Sequence, residues 1–340
     1  MDGRAPVPEA AIIGQAIDEI GRVIVGKQRA VQSIMAAVLA GGHVLIEDLP
    51  GLGKTTIART FATVLGLETT RVQFTPDLLP ADLIGATVYN AAAGRFDFRP
   101  GPIFTNVLIA DEINRTPPKT QSALLEAMAE GQVSTDGVTR PLPSPFLVIA
   151  TQNPIEHEGT YPLPEAQLDR FAMCIGLGYS TAAQEKALLR QRMGAAGGVR
   201  ARQIVDAATV DQLRAATSRV DVDEDILDYI VALVRATRTH VQVDVGASPR
   251  AELDLLQVAR AQALLRGRDF VVPEDVKAVA PEVVSHRVSP RPEAWMRRIR
   301  GQTIVAEVLA RTPVPRLRAA RELTGPAARP VGLAEAVDSR

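Results

Sequence analysis

The chain has 340 residues, of which 46% are hydrophobic and 23% charged, and its net charge is −1. That is enough for about two domains with ordinary soluble cores. The near-zero charge and the 4% aromatic content argue against a chain-wide nucleic-acid surface or a base-stacking platform. Cys174 is the only cysteine, so no intrachain disulfide can form, and a reducing, cytoplasmic setting is expected. No run of 18 apolar residues is present, and Met1–Pro6 lacks the apolar stretch of a signal peptide. His43, His157, His240 and His286 lie too far apart for zinc-ligand spacing.

After a polar, proline-containing start, residues 11–25 carry Ile12, Ile13, Ala16, Ile20 and Val23 at helical spacing. A second helix is expected over 28–40, stopped by Gly41-Gly42. Val44-Leu45-Ile46 then reads as a buried strand, followed by Glu47-Asp48-Leu49-Pro50-Gly51-Leu52-Gly53-Lys54-Thr55-Thr56 and a helix running to about Leu65. Strand, glycine loop, Gly-Lys-Thr and helix together make the context of a phosphate-binding loop. Gly51 and Gly53 let backbone N–H groups converge on an anion, and the helix N-terminus adds partial positive charge there. Lys54 is expected to meet the β- and γ-phosphates, and Thr55 to offer its hydroxyl to Mg²⁺. Pro50, Leu52 and Thr56 complete the expected nucleotide-binding set. The motif asks for glycine at position 48, where this chain has Asp48. Aspartate tolerates left-handed backbone and can close the loop if its carboxylate points away from the phosphates.

Further along, 69–74 is expected as a strand, 75–85 as a loop with a short helix, and 87–99 as a hairpin turning at Ala93-Gly94. Asn106–Ala110 is an unbroken apolar run ending in Asp111-Glu112. A helix follows over 117–129, and Asp136-Gly137 marks a second hairpin over 132–142. Two more apolar strands are expected at 146–150 and 171–177. Short apolar strands separated by helices predict an α/β fold, a parallel sheet with helices on both faces. From residue 181 the periodicity is helical throughout, at 181–193, 210–218, 224–238, 250–265 and 273–284. A helical second domain is therefore expected over 180–315, after a nucleotide-binding core over 1–179. Residues 316–340, rich in Arg, Pro and Ala, read as a disordered tail.

Asp111 stands where a P-loop architecture places an acidic residue on Mg²⁺, and Glu112 one step on is placed to activate the attacking water. Asn153, at the tip of the next apolar strand, offers an amide to that water and to the γ-phosphate. Arg170 lies too far along to serve its own nucleotide and is expected to reach a neighbouring subunit's γ-phosphate. Arg250, opening a helix of the second domain, is expected to close over the phosphates from the lid side.

These parts resemble the AAA+ ATPases, and specifically the MoxR family, from about Ile12 to Pro315. The resemblance rests on Gln73-Phe74-Thr75-Pro76-Asp77-Leu78-Leu79-Pro80, on Asp111-Glu112-Ile113-Asn114-Arg115 with Pro117–Gln121, on Ala150–Pro154, and on Gly159–Phe171. It implies a P-loop αβα core with an all-helical lid and Mg²⁺-dependent ATP hydrolysis. It also implies a homo-oligomeric ring, usually hexameric, and chaperone-like action on a partner such as a von Willebrand factor A domain protein. In that frame Gly51–Thr55 is similar to Walker A, Asp111-Glu112 to Walker B, Asn153 to sensor 1, Arg170 to the arginine finger and Arg250 to sensor 2. Val25-Gly26 matches the position where related ATPases contact adenine. Residues 75–100 are similar to the insert in helix 2, and 132–142 to the hairpin before sensor 1. Two rivals stand beside this reading. One is a nucleotide-gated scaffold with little turnover, against which Glu112 argues. The other is a nucleic-acid-dependent ring motor, against which charge and composition argue.

Overall fold

A computed structural model describes residues 7–49, 51–153, 159–194 and 199–315. In order these form α1 (Pro8–Val23), α2 (Gln28–Leu39), β1 (Val44–Glu47), α3 (Lys54–Val64), β2 (Thr69–Gln73), α4 (Pro80–Ile84), β3 (Gly85–Asn90), β4 (Arg95–Pro100) and β5 (Val107–Asp111). Then come α5 (Pro118–Glu130), β6 (Gln132–Thr135), β7 (Val138–Pro141), β8 (Leu147–Gln152), α6 (Glu165–Leu168) and β9 (Met173–Ile175). The remainder is helical except for one small ribbon: α7 (Ala182–Gly194), α8 (Ala207–Ser218), α9 (Glu224–Arg238), β10 (Val243–Val245), α10 (Pro249–Leu265), α11 (Pro273–Val284), β11 (Ser289–Pro290), α12 (Pro292–Met296) and α13 (Gly301–Arg311).

The central sheet has the order β2-β5-β8-β1-β9, with every pairing parallel. Its inner strands are the unbroken apolar runs of the sequence, fully buried because helices cover both faces. Val44 of β1 pairs with Ile149 and Met173, and Val107 of β5 with Leu147, so the strand ends share one edge. That edge carries the 48–53 turn, Asp111-Glu112 and Gln152-Asn153. It is also where the strand order reverses, since β1 sits between β8 and β9 rather than beside β2. Open α/β sheets bind ligands at such a point.

Two apolar clusters hold the fold. One face of the sheet packs with α1, α2 and α3, and the same cluster continues without a break into α8–α11 and α13. The other face packs on α5 around Phe74, Leu124, Leu125 and Phe171. The helical periodicity underestimates this second half: Asp206 caps α8 by accepting from Thr209 N at 2.8 Å, so the helix starts three residues before its apolar stripe. The lid also contains α13, whose Ile304, Val305 and Val308 are buried. Residues 316–340 lie outside the described residues.

Candidate functional site: a phosphate turn facing two carboxylates

The turn after β1 has the backbone its glycines predict. Gly51 has φ +86° and Gly53 φ +89°, values that disfavour L side chains, and a Cβ built at either would meet no protein atom within 4 Å. The space over the turn is therefore open, and Gly53 caps α3, so that the free N–H groups of the helix's first turn face it. Pro50 lies outside the described residues. Asp48 does not use left-handed backbone, contrary to the reason given for tolerating it. Its carboxylate does point away from the turn, accepting from Leu49 N at 2.8 Å, Leu177 N at 2.6 Å and Gly178 N at 2.7 Å. Lys54 Nζ crosses the turn to the carbonyls of Asp48 at 2.6 Å and Gln152 at 3.3 Å. Partial burial lowers its pKa, opposed by the charges of Asp48, Asp111 and Glu112.

The sheet brings the carboxylates to this turn. Thr55 Oγ1 donates to Asp111 Oδ2 at 3.1 Å, and Thr151 Oγ1 donates to Asp111 Oδ1 at 3.2 Å. Arg71 Nε of β2 also donates to Asp111 Oδ2, at 2.5 Å. Glu112 adopts φ +58° and is tied down by its own N–H, which donates to Thr151 Oγ1 at 3.0 Å. Its Oε2 accepts from Gln73 Nε2 at 2.7 Å and pairs with Arg115 Nε at 3.1 Å. The hydroxyl of Thr55 beside the carboxylate of Asp111 is a hard oxygen set that fits Mg²⁺, which is commonly held by one or two protein oxygens and completed by water and phosphate. Among the described residues no cluster of three or more His, Cys, Asp or Glu forms an all-protein metal cage.

Asn153 follows β8 directly, next to the Gln152 carbonyl that Lys54 reaches. A cleft of about 460 Å³ extends from Gly51, Leu52, Gly53 and Thr56 to Val25 and Tyr179. It joins the turn to the segment between α1 and α2, with room for a base and sugar. Gly26 (φ +78°) lies between two of its lining residues, Val25 and Lys27, and a Cβ there would strike the Gln184 side chain at 2.5 Å. Lys27 also lines the cleft; it is buried, and its Nζ holds the Leu177 and Gly178 carbonyls at 3.2 and 2.5 Å. Nothing around Val25-Gly26 singles out Lys27 or Tyr179, because both contribute through contacts with a segment about 150 residues away.

Arg170 and Arg250 lie elsewhere. Arg170 Nη1 donates to Leu125 O at 2.7 Å, in the loop before β9. Ser248, two residues before Arg250, donates to the Asp169 carboxylate at 2.9 Å, and the Arg250 charge weighs on His43. His43 precedes β1, and its carbonyl accepts from Ala172 N at 3.0 Å. The loop of Arg170 and the start of α10 thus meet at the starting edge of the sheet, a strand's length of roughly 13 Å from the edge that bears the turn. The expectation that Arg250 closes over this chain's own phosphates finds no contact in support: among the described residues its N–H donates to Ser248 Oγ at 3.2 Å, and no hydrogen bond joins it to the turn. α10 packs on α1 and α2, and its cap Ser248 meets Asp169, the residue before Arg170. Asp169 pairs with the buried Arg287 at 2.9 Å, across to the lid, rather than with its neighbour Arg170.

Two hairpins project together. β3–β4 and β6–β7 are linked by Thr87 Oγ1 donating to the Asp136 carboxylate, and the Arg140 guanidinium stacks on the Phe98 ring at 3.8 Å. Tyr89 and Phe96, with ring centres 5.2 Å apart, are exposed near the tip.

A parallel sheet with a glycine turn opening a helix, a Thr-Asp pair whose oxygens fit Mg²⁺ and a helical lid defines a P-loop ATPase of the AAA+ class. The model of the ATPase family associated with various cellular activities (AAA) matches residues 43–173, and that of the AAA lid domain matches 235–308. Chaperone MoxR1 of Mycobacterium tuberculosis is 43% identical over 320 residues, covering 92% of this chain and 84% of that protein. YeaC of Bacillus subtilis, uncharacterised, is 46% identical over 309 residues, covering 91% and 97%. A crystal structure of a Cytophaga hutchinsonii protein described as an ATPase superposes with a TM-score of 0.85 at 41% identity, covering 91% of this chain and 96% of that one. The chain belongs to the MoxR family of AAA+ ATPases. Among the described residues no helix is long and apolar enough to cross a membrane.

Proposed function

We propose that this chain hydrolyses ATP with Mg²⁺ as a ring of identical subunits, and that it uses the cycle to remodel or activate a partner protein. The observation that carries this is the meeting of Thr55 and Asp111 at 3.1 Å beside an open glycine turn, with Glu112 next in sequence. Mg²⁺, when bound, offsets the charge of the triphosphate and its leaving group. Thr55 and Asp111 would hold it. The turn amides and Lys54 bind and orient the β- and γ-phosphates, for which Lys54 exchanges its two carbonyl partners. Glu112 takes the proton of the attacking water, and Asn153 orients that water. The cleft bounded by Val25, Leu52, Thr56 and Tyr179, with Gly26 next to Val25, holds the nucleoside.

The placement of Arg170 and Arg250 away from the chain's own turn supports a shared site, in which both serve the next subunit's γ-phosphate. A six-membered ring follows the family habit. Movement of the lid, residues 180–315, against the core, residues 1–179, is the proposed output. The relative named a chaperone supports a protein client, and a separate von Willebrand factor A domain protein is the proposed one. The family and the lone cysteine support a cytoplasmic site of action.

The test is phosphate release by wild type and Glu112→Gln across protein concentration. Turnover that rises with concentration in wild type and vanishes in Glu112→Gln, with ATP still bound, supports the proposal. A wild type that binds Mg·ATP but releases no phosphate at any concentration returns the scaffold reading.

A further inference from the structure

β2 is the edge strand beside β5, and its register sets Arg71 opposite Ile109 and Gln73 opposite Asp111. Residues two apart share a face, so Arg71 and Gln73 lie side by side, and Arg71 Nη2 donates to Gln73 Oε1 at 3.1 Å. Arg71 then reaches forward to Asp111 Oδ2 at 2.5 Å. The same oxygen accepts from Thr55 Oγ1 at 3.1 Å, while Oδ1 is taken by Thr151. Both lone pairs of Oδ2 are therefore engaged, and this oxygen faces the Thr55 hydroxyl where Mg²⁺ fits. The Asp111 side chain is 7% exposed and that of Arg71 42% exposed. The carboxylate is fixed, whereas the guanidinium has an open path into a cleft of about 610 Å³ shared with Arg59, Thr60 and Arg200.

We infer that Arg71 is a stand-in cation, a positioning residue that neutralises Asp111 and competes with Mg²⁺ for it. It thereby sets how much Mg²⁺ the nucleotide complex requires. The physical reason is local: a dication held by Asp111, directly or through water, would share one carboxylate oxygen with a guanidinium. Two cations at that distance in a partly desolvated site repel strongly, so Arg71 must swing out. The inference rests on the proposed nucleotide site.

The test is Mg²⁺-linked binding of a fluorescent ADP by the full chain, with no turnover in the readout. Wild type, R71Q and R71K are each titrated with Mg²⁺, and nucleotide affinity in EDTA is compared with affinity at saturating Mg²⁺. In R71Q, which keeps an amide donor but loses the charge, the half-saturating Mg²⁺ should fall about tenfold, and the ratio of the two affinities should rise by a similar factor. R71K, charged but shorter, should move in the same direction by less. Half-saturating Mg²⁺ that is unchanged or higher in the variants overturns the inference, because a residue that merely braces Asp111 would weaken the metal on removal. A thermal melt checks folding, and if R71Q does not fold, R71K against wild type decides by the same criterion. Failure of wild type to bind ADP in a Mg²⁺-dependent way would instead sink the nucleotide site itself.

Discussion

Ser248, on the lid, donates its hydroxyl to both carboxylate oxygens of Asp169, the residue before Arg170, at 2.9 and 3.1 Å. The buried Arg287 completes the clasp. It pairs with Asp169 and Asp254 and donates to the Asp169 and Phe171 carbonyls at 3.0 and 2.9 Å. The loop carrying Arg170 is thus tied to the lid at Asp169 and Phe171.

Arg287→Ala removes a charged donor from two carboxylates and three carbonyls, those of Asp169, Phe171 and Val283. A loss of about 3–5 kcal/mol is expected from breaking a buried, multiply bonded ion pair. Denaturant unfolding measures it, and Arg287→Lys should not restore stability, because one ammonium cannot serve that fork of acceptors.

Arg170→Ala should bind Mg·ATP with near wild-type affinity yet lose turnover, and Arg250→Ala should behave alike, since both lie at the edge away from the chain's own turn. Each should regain activity when mixed with Glu112→Gln, because a mixed ring contains interfaces with both groups intact. Phosphate release on mixing decides this. Arg250→Ala that loses nucleotide affinity as an isolated monomer would contradict its placement.

Gly53→Ala forces a side chain into φ +89°. The strain costs of order 1–3 kcal/mol, and the added methyl sits over the anion's place. Nucleotide affinity should fall at least as far as in Lys54→Ala, with circular dichroism unchanged.

Acid sensitivity should centre on two histidines. Burial holds His43 neutral, with its pKa down to about 4, and His286 at about 3, where the Arg287 charge adds to burial. His43 Nδ1 accepts from Val148 N at 3.0 Å, so its Nε2 carries the proton donated to Met128 O. Both folded values lie below the unfolded value near 6.5. The stability they contribute is therefore complete above about pH 6.5 and is lost as pH falls toward 4, by up to ~1.4 kcal/mol per pH unit for each histidine. Melting temperature against pH, in wild type and His43→Gln, checks the slope: the variant should be less stable at pH 7 but flatter between 6.5 and 4.5.

The phosphate turn, the acidic pair and the strand carrying Asn153 were legible because each is local: an apolar run, then the chemistry at its tip. A parallel sheet with its strand ends aligned does the rest. The surroundings of Arg250 were not legible, because helical periodicity fixes which residues a helix buries and says nothing about which edge of the sheet its N-terminus meets. Here that edge is chosen by α10 lying on α1 and α2 and by the Ser248–Asp169 contact, 79 residues apart in sequence. Arg71 escaped notice for a related reason. On β2 it reads as an ordinary polar strand residue, and only the register against β5 aims it at Asp111.

Asp48→Gly, the change toward the common motif, should lower the melting temperature, since three backbone donors lose a charged acceptor worth about 1–3 kcal/mol each at most. That carboxylate welds the turn to residues 177 and 178, the last few before α7. The segment that leads into the second domain is therefore hydrogen-bonded directly to the turn, and Asp48→Gly removes that link without touching any residue of the turn's glycine pair.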